Sequence, residues 1–236
     1  MSDRRADDRD TDFGDPDAFY GRYYQQVLRT GVVGSAQDRT HLALERRTPA
    51  GTRFPRVLEV GAGKGEHFDF VQHDFDAYVE TDIRATETRI GRRDARRVFQ
   101  EADAQNLPFE DASFDRVVAT CLLLHLPEPE TALREWRRVA RPGAVLNLLV
   151  PCDPGAFVRS TRQVLTVPAV RRSGFRGYKL FNARDHRNHV GSIDRLVKHT
   201  FRDDHLSVYR FPFGFDSWNL NAYFVYDVIR GAGDVP

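Results

Sequence analysis

The chain has 236 residues but only two cysteines, one methionine and three lysines. No CxxC pair exists, and Cys121 and Cys152 both sit among apolar neighbours, which excludes a thiolate zinc site and a secreted disulfide framework. Long apolar runs are also missing. The longest, Val117 to Leu126, is interrupted by Thr120 and His125 and is too short to span a bilayer. Met1 to Phe13 has no apolar core, so no secretory leader is expected, and the expected location is cytoplasmic. A charge excess of one sign is absent too: the formal net charge is +1, which gives no global reason to expect nucleic acid or an anionic membrane as partner. Lysine is displaced by 32 arginines, a pattern that reads as a GC-rich genome rather than a function.

What is present is an ordinary globular composition, 41% hydrophobic and 29% charged. Residues 1–16 are Asp/Arg-rich and nearly free of apolar groups, and are expected to form a disordered acidic tail. Residues 17–50 predict a helical lid. Asp17 caps a first helix carrying Tyr20, Tyr23, Tyr24, Val27 and Leu28, and a second runs from about Ala36 to Arg47. From residue 51 to 236 short apolar strands alternate with helical stretches. The strands are Arg56–Val60, Tyr78–Asp82, Val98–Glu101, Asp115–Leu124 and Ala144–Val150, with helices from Glu66 and over Thr131–Ala140. This order implies a parallel sheet with right-handed crossovers. Residues 152–190 have no clean period and read as an insertion over the carboxyl edge of the sheet. A helix at Ser192–Phe201 and two antiparallel strands, His205–Phe211 and Ala222–Ile229, close the pattern.

The chemistry-bearing segment is Val57-Leu-Glu-Val-Gly-Ala-Gly-Lys-Gly-Glu-His67. A strand entering a glycine-rich turn lets backbone approach a ligand without Cβ interference, and a helix after it directs free N–H groups there. The spacing is Gly-x-Gly-x-Gly rather than the Gly-x-Gly-x-x-Gly of dinucleotide enzymes. Glu59 before the turn and Glu66 after it would repel a diphosphate but not a ligand carrying ammonium and sulfonium charge. Asp82 ends the next strand, where a carboxylate can accept both ribose hydroxyls. S-adenosylmethionine (SAM) meets these conditions better than NAD.

On these residues the sequence resembles the class I SAM-dependent methyltransferases, in particular their type 11-like, small-molecule branch. Further matches follow in order: Glu101-Ala-Asp103-Ala104, Leu107-Pro-Phe109, Ser113-Phe-Asp115, Leu124-His125-Leu126 and Arg141-Pro-Gly143. The resemblance implies an α/β, Rossmann-like seven-stranded mostly parallel sheet with helices on both faces and an antiparallel last strand, plus a helical N-terminal lid. It implies SAM as cofactor, S-adenosylhomocysteine as product, and a cofactor-binding set of Glu59, Gly61, Ala62, Gly63, Gly65, Asp82, Ile83, Asp103, Ala104 and Thr120. Asp103 would bond the adenine amino group and Ala104 would donate its backbone N–H. Lys64 and Ala144 depart from the pattern, which usually has a small or polar residue and a glycine there.

Methyl transfer needs an aligned acceptor, and a hydroxyl acceptor gains from a general base. His125, at the carboxyl end of the fourth strand, is the base candidate; the competing reading is a ring that packs beside the cofactor. Tyr20, Tyr24, His41, Tyr178, His186, His189 and Trp218 are candidate substrate contacts, each weighed against a role in core packing or capping. The expected substrate is a small molecule, with methyl delivered to O, N or C. No metal-ligand set is recognised. Alternatives are an RNA-directed methyltransferase, suggested by Arg84, Arg89, Arg92, Arg93, Arg96 and Arg97, an NAD(P)-dependent dehydrogenase, and a non-catalytic partner protein. The arginines otherwise read as a solvated helix surface. No Asn-Pro-Pro-Tyr or Asp-Pro-Pro-Tyr follows the fourth strand, where Ala119-Thr-Cys-Leu122 stands, which disfavours adenine-amino and glutamine acceptors. Nothing in the sequence sets an oligomeric state.

Overall fold

The computed structural model describes residues 13–84 and 90–232. Its strands are β1 (Arg56–Val60), β2 (Ala77–Asp82), β3 (Arg97–Glu101), β4 (Phe114–Thr120), β5 (Ala140–Pro151), β6 (His205–Phe211) and β7 (Tyr223–Ile229). They form one sheet in the order β3-β2-β1-β4-β5-β7-β6. The pairs from β3 to β5 are parallel, whereas β7 runs antiparallel to both neighbours, β5 and β6. The chain builds outward from β1 to β3, then returns to place β4 on the other side of β1. That reversal opens a crevice at the carboxyl ends of β1 and β4, where ligands of such sheets bind.

One face is covered by two helices, α4 (Pro129–Val139) and α8 (Val190–Thr200). Proline at the first turn suits α4, because an N–H there would have no intrahelical partner. Leu133, Trp136 and Val139 of α4 recur at helical spacing and pack with Ile193 and Val197 of α8 against Leu58, Val117, Leu146 and Val228 of the sheet. The other face is covered by α3 (Gly31–Glu45), whose Leu44 packs with Val118, Leu149 and Val225. Part of the predicted lid, 17–50, is therefore a layer of the sheet's own core.

The helix expected from Glu66 does not form. A single 3₁₀ turn, His67–Phe70, replaces it, and Val71 is already extended. Only eleven residues separate Gly65 from β2, which leaves little length for a helix and its connections. Phe68, Phe75 and Tyr78 fill the space instead, packed edge to face.

The arginine-rich stretch after β2 also differs from the helix surface expected of it: its described part, 90–96, is irregular. Arg89 lies outside the described residues. Arg84 pairs with Asp17, Arg96 with Asp94 and Asp74, and Arg97 with Glu80.

Residues 1–12 of the expected acidic tail lie outside the described residues. The last part of that stretch is structured: the Asp15 carboxylate accepts the Asp17 and Ala18 N–H groups and caps α1 (Pro16–Ala18), in place of the expected Asp17 cap. A π-helical turn, Phe19–Tyr23, continues α1 into α2 (Tyr24–Leu28). The 152–190 insertion is more regular than its sequence suggests. It holds α5 (Ala156–Thr161), a π-helical turn Arg162–Thr166, α6 (Val167–Ser173) and α7 (Tyr178–Asp185). Phe19 and Val27 pack with Val170, Phe175 and Phe181 of this insertion, so the two chain-distant segments form one helical cap.

Candidate active site

The glycine turn leaves β1 with Gly61, Gly63 and Gly65 at φ values of +69°, +55° and +87°. Side-chain-bearing residues rarely adopt this region. Space is short as well: a Cβ on Gly61 would strike Leu122, and one on Gly65 would strike Arg97 and Glu80. Arg97 braces the turn from below. Its guanidinium bonds the Gly65 and Ile90 carbonyls and the buried Glu80 carboxylate.

Asp82 ends β2 beside the turn. One carboxylate oxygen accepts the Gly63 N–H and the other the Arg84 N–H, both at 2.9 Å. A carboxylate has about four acceptor positions, so acceptors remain for a diol. Ile83, 63% exposed, offers apolar surface next to it. Asp103 follows β3 and holds the Gln105 N–H, while the Ala104 carbonyl accepts the Trp136 indole N–H. Ala62 N–H bonds the Thr81 carbonyl, and Thr120 ends β4, both framing the turn. Glu59 is 1% exposed and takes the Tyr78 hydroxyl at 2.8 Å.

Glu66, not in the predicted set, closes the turn. Its carboxylate accepts the Lys64 N–H and the side-chain amide of Gln25 from α2. The cap thus reaches the glycine turn directly. Burial and the nearby Glu66 charge push the Tyr24 hydroxyl pKa well up, and Tyr24 holds Gln37.

β4 ends at Thr120, four residues before the expected Leu124, and His125 stands in the turn that follows it. Its Nδ1 lies 3.1 Å from both the backbone carbonyl and a carboxylate oxygen of Asp185 on α7. Both are acceptors, so Nδ1 carries a proton, and in the neutral ring the lone pair is on Nε2. Tyr20 donates its hydroxyl to the same carboxylate at 2.7 Å. Burial raises the Asp185 pKa, but the bonds from His125 and Tyr20 outweigh it and hold the group below its ordinary value. His186 packs edge to face on His125 at 4.9 Å between centroids, and its Nδ1 bonds Asp153. Burial likewise raises Asp153, yet His186 and Arg162 bring it down to about 2.

A cavity of about 400 Å³ opens beside this pair, lined by Asp153, Tyr178, Asn182, His186 and His189 among others. Of the predicted substrate contacts, Tyr178, His186 and His189 line it, whereas Tyr20 bonds Asp185 outside its lining. Trp218 packs on His189 from outside. His41 does not reach it. It is 5% exposed, and its Nδ1 lies 3.0 Å from His67 Nδ1; His67 in turn bonds Glu45, which pairs with Arg116. His41 therefore belongs to a buried chain beneath the glycine turn. Asp185 and Asp153 were missed in the sequence, although Asp185 directly precedes His186. A grouping of His125, Asp185 and His186, one ligand atom of each within 4.8 Å of the others, also has metal-ligand character, where no metal set was expected.

The seven-stranded sheet, with its glycine turn beside Asp82, is a Rossmann-like fold. Residues 58–148 match the protein-family model described as a methyltransferase domain. It is 38% identical over 113 residues to the 27-O-demethylrifamycin SV methyltransferase of Amycolatopsis mediterranei, covering 42% of this chain and 41% of that one. It is 32% identical over 164 residues to the demethylmenaquinone methyltransferase of Clavibacter sepedonicus, covering 63% and 61%. The chain thus spans about two to three fifths of the length of these relatives. Among solved structures, a SAM-dependent methyltransferase of Thermotoga maritima superposes with a TM-score of 0.61 at 18% identity, over 91% of this chain and 99% of that one, a likeness of fold. Among the described residues no helix is long and apolar enough to cross a membrane.

Proposed function

We propose that this chain binds SAM and transfers its methyl group to a hydroxyl oxygen of a small molecule. The observation that carries the choice of oxygen is His125, fixed by Asp185 with Nε2 as its lone-pair nitrogen at the ligand-binding edge of the sheet. The residues present fit SAM. A turn without Cβ atoms approaches the ligand closely, Asp82 has acceptors to spare for ribose hydroxyls, and Glu66 and Asp103 suit an ammonium and an adenine amino group. SAM when bound supplies the activated methyl group and a neutral thioether leaving group.

The chain's own work is alignment and proton transfer. His125 Nε2 takes the acceptor hydroxyl proton as the new C–O bond forms and the C–S bond breaks. Asp185, held ionised, orients the ring through Nδ1–H, and Tyr20 fixes the carboxylate. Relatives named for rifamycin and menaquinone precursors support a small-molecule acceptor. The pairing of Arg84, Arg96 and Arg97 with carboxylates weighs against the RNA reading, since half of that arginine cluster is matched to acids. The Gly-x-Gly-x-Gly spacing tells against a dehydrogenase.

Calorimetry with SAM and S-adenosylhomocysteine, and turnover on cell-extract metabolites with methyl-labelled SAM, test the proposal. His125→Ala is expected to lower kcat by about 10²–10⁴-fold with SAM affinity unchanged. No SAM binding at millimolar ligand overturns the cofactor reading, and unchanged turnover in His125→Ala overturns the base.

A further inference from the structure

The cavity beside His125 has a charge pattern that the methyl-transfer reading does not use. Arg159, Arg162, Lys179 and Arg187 all line it, against the one acid Asp153. Asp153 neutralises Arg162 and bonds His186. Among the described residues no carboxylate pairs with Arg159, Lys179 or Arg187, and all three are exposed at the mouth. In a chain where most arginines near β2 and α4 are matched to acids, three unmatched cations around one concavity are a local excess. Low-dielectric walls focus such a field on whatever enters.

The floor has the opposite need. Asp153 is 3% exposed, and its Oδ1 is buried without a hydrogen-bond partner; the same holds for Asn182 Oδ1. Buried acceptors left unpaired cost about 1–3 kcal/mol each, so this floor suits a donor brought by a ligand. The volume, about 400 Å³, suits a small molecule. His186 belongs to both the cavity wall and the edge-to-face pair with His125. Asn188, also in the wall, bonds the Leu123 and Leu126 carbonyls on either side of His125. The cavity is thus joined to the reacting end of β4.

We infer that the acceptor is a hydroxylated small molecule bearing an oxyanion, a carboxylate or a phosphate ester. Arg159, Lys179 and Arg187 hold the oxyanion at the mouth, and a second hydroxyl donates to Asp153 on the floor. This specificity rests on the methyl-transfer reading for the fate of the molecule, but the binding step does not require it. Arg159 and Lys179 are specificity-determining residues, remote from the glycine turn.

The test is calorimetric binding of 3,4-dihydroxybenzoate, 3,4-dihydroxyphenyl phosphate and the neutral 3,4-dihydroxybenzamide, with and without S-adenosylhomocysteine. At least one anion is expected to bind about tenfold or more tighter than the amide. The preferred anion tells carboxylate from phosphate. The double variant Arg159→Gln, Lys179→Gln is expected to lose that preference while binding S-adenosylhomocysteine as the unchanged chain does, which also reports that it is folded. Equal affinity for amide and anions, no saturable binding of either anion, or an unchanged preference in the double variant overturns the inference. Failure to bind S-adenosylhomocysteine overturns the cofactor reading instead, and leaves the anion preference to stand or fall on its own measurement.

Discussion

Gly63 and Asp82 meet through one hydrogen bond, and their substitution separates two ways of losing a cofactor. Gly63 sits at φ +55° and donates its N–H to Asp82. A β-branched residue is a genuine outlier at positive φ, so Gly63→Val forces the turn to a new backbone conformation and moves the donor. Asp82→Ala leaves the turn geometry free but removes the acceptor for ribose hydroxyls. Hydrogen bonds to a charged group contribute about 1.5–3 kcal/mol, so Asp82→Ala is expected to weaken SAM binding by about ten- to a hundredfold. Gly63→Val should weaken it at least as much and also lower thermal stability, since its strain exists without ligand. Calorimetry and thermal melts on both variants check this. Wild-type affinity in either removes that residue from the site.

The element that organises the interior is α3, through a charge pair rather than through its apolar stripe. Arg116 on β4 is fully buried and meets the Glu45 carboxylate of α3, with Asn147 on its other side. His67 Nε2–H donates to the same carboxylate, which ties α3 to the segment following the glycine turn. Burial raises the Glu45 pKa, but Arg116 and then His67 outweigh it and hold the group well below its ordinary 4.5. A depressed carboxylate contributes stability that is complete above its unfolded value and is lost as pH falls through the folded one. Glu45→Ala leaves Arg116 buried and unpaired, at a cost of about 3–5 kcal/mol. Urea unfolding of both proteins should show that difference in full at pH 7 and see it shrink below pH 4.5, as the unaltered chain loses its own advantage. A difference of equal size at pH 7 and at low pH would mean that packing, not charge, holds α3.

Some of this was legible in the sequence, and the rest was not for identifiable reasons. β1 and β6 have the predicted bounds because short apolar or alternating runs end at glycine, proline or charged turns. The glycine turn and Asp82 were legible because a local backbone requirement leaves a local residue pattern. The missing helix after Gly65 was not, since its absence follows from a short connection filled by Phe68, Phe75 and Tyr78, and aromatic residues read equally well as a helical face. Asp185 and Asp153 were not found because acids become partners of His125 and His186 only once 152–190 folds over β4. His41 misled for the same reason: its partners, His67 and Glu45, are fixed by tertiary packing and not by spacing.

At the scale of the whole molecule the cap is one body made of two distant segments, tied to the loops of the sheet at several points, Arg84 to Asp17 among them. Phe19 is its centre, with Phe181 at 4.3 Å and Phe175 at 5.0 Å between ring centroids. One tie runs from Gln25 to Glu66 at the glycine turn, another from Asp185 of α7 to His125, with Tyr20 bound to the same carboxylate. A ligand that orders the glycine turn therefore acts on Gln25, and through the rigid aromatic cluster on α7. Hydrogen exchange measures such coupling, because local opening free energies rise where a ligand binds only the closed form. S-adenosylhomocysteine is expected to slow exchange at 61–66, at 16–28 and at 178–185 together. Phe19→Ala removes the centre of the cluster, at a cost of about 3–5 kcal/mol for a buried aromatic. In that variant the ligand should still protect 61–66 but no longer 178–185, because the path between the two ties is broken. Protection confined to 61–66 in the unaltered chain would mean that the two halves of the cap move independently, and that Tyr20 reaches Asp185 without help from the cofactor side.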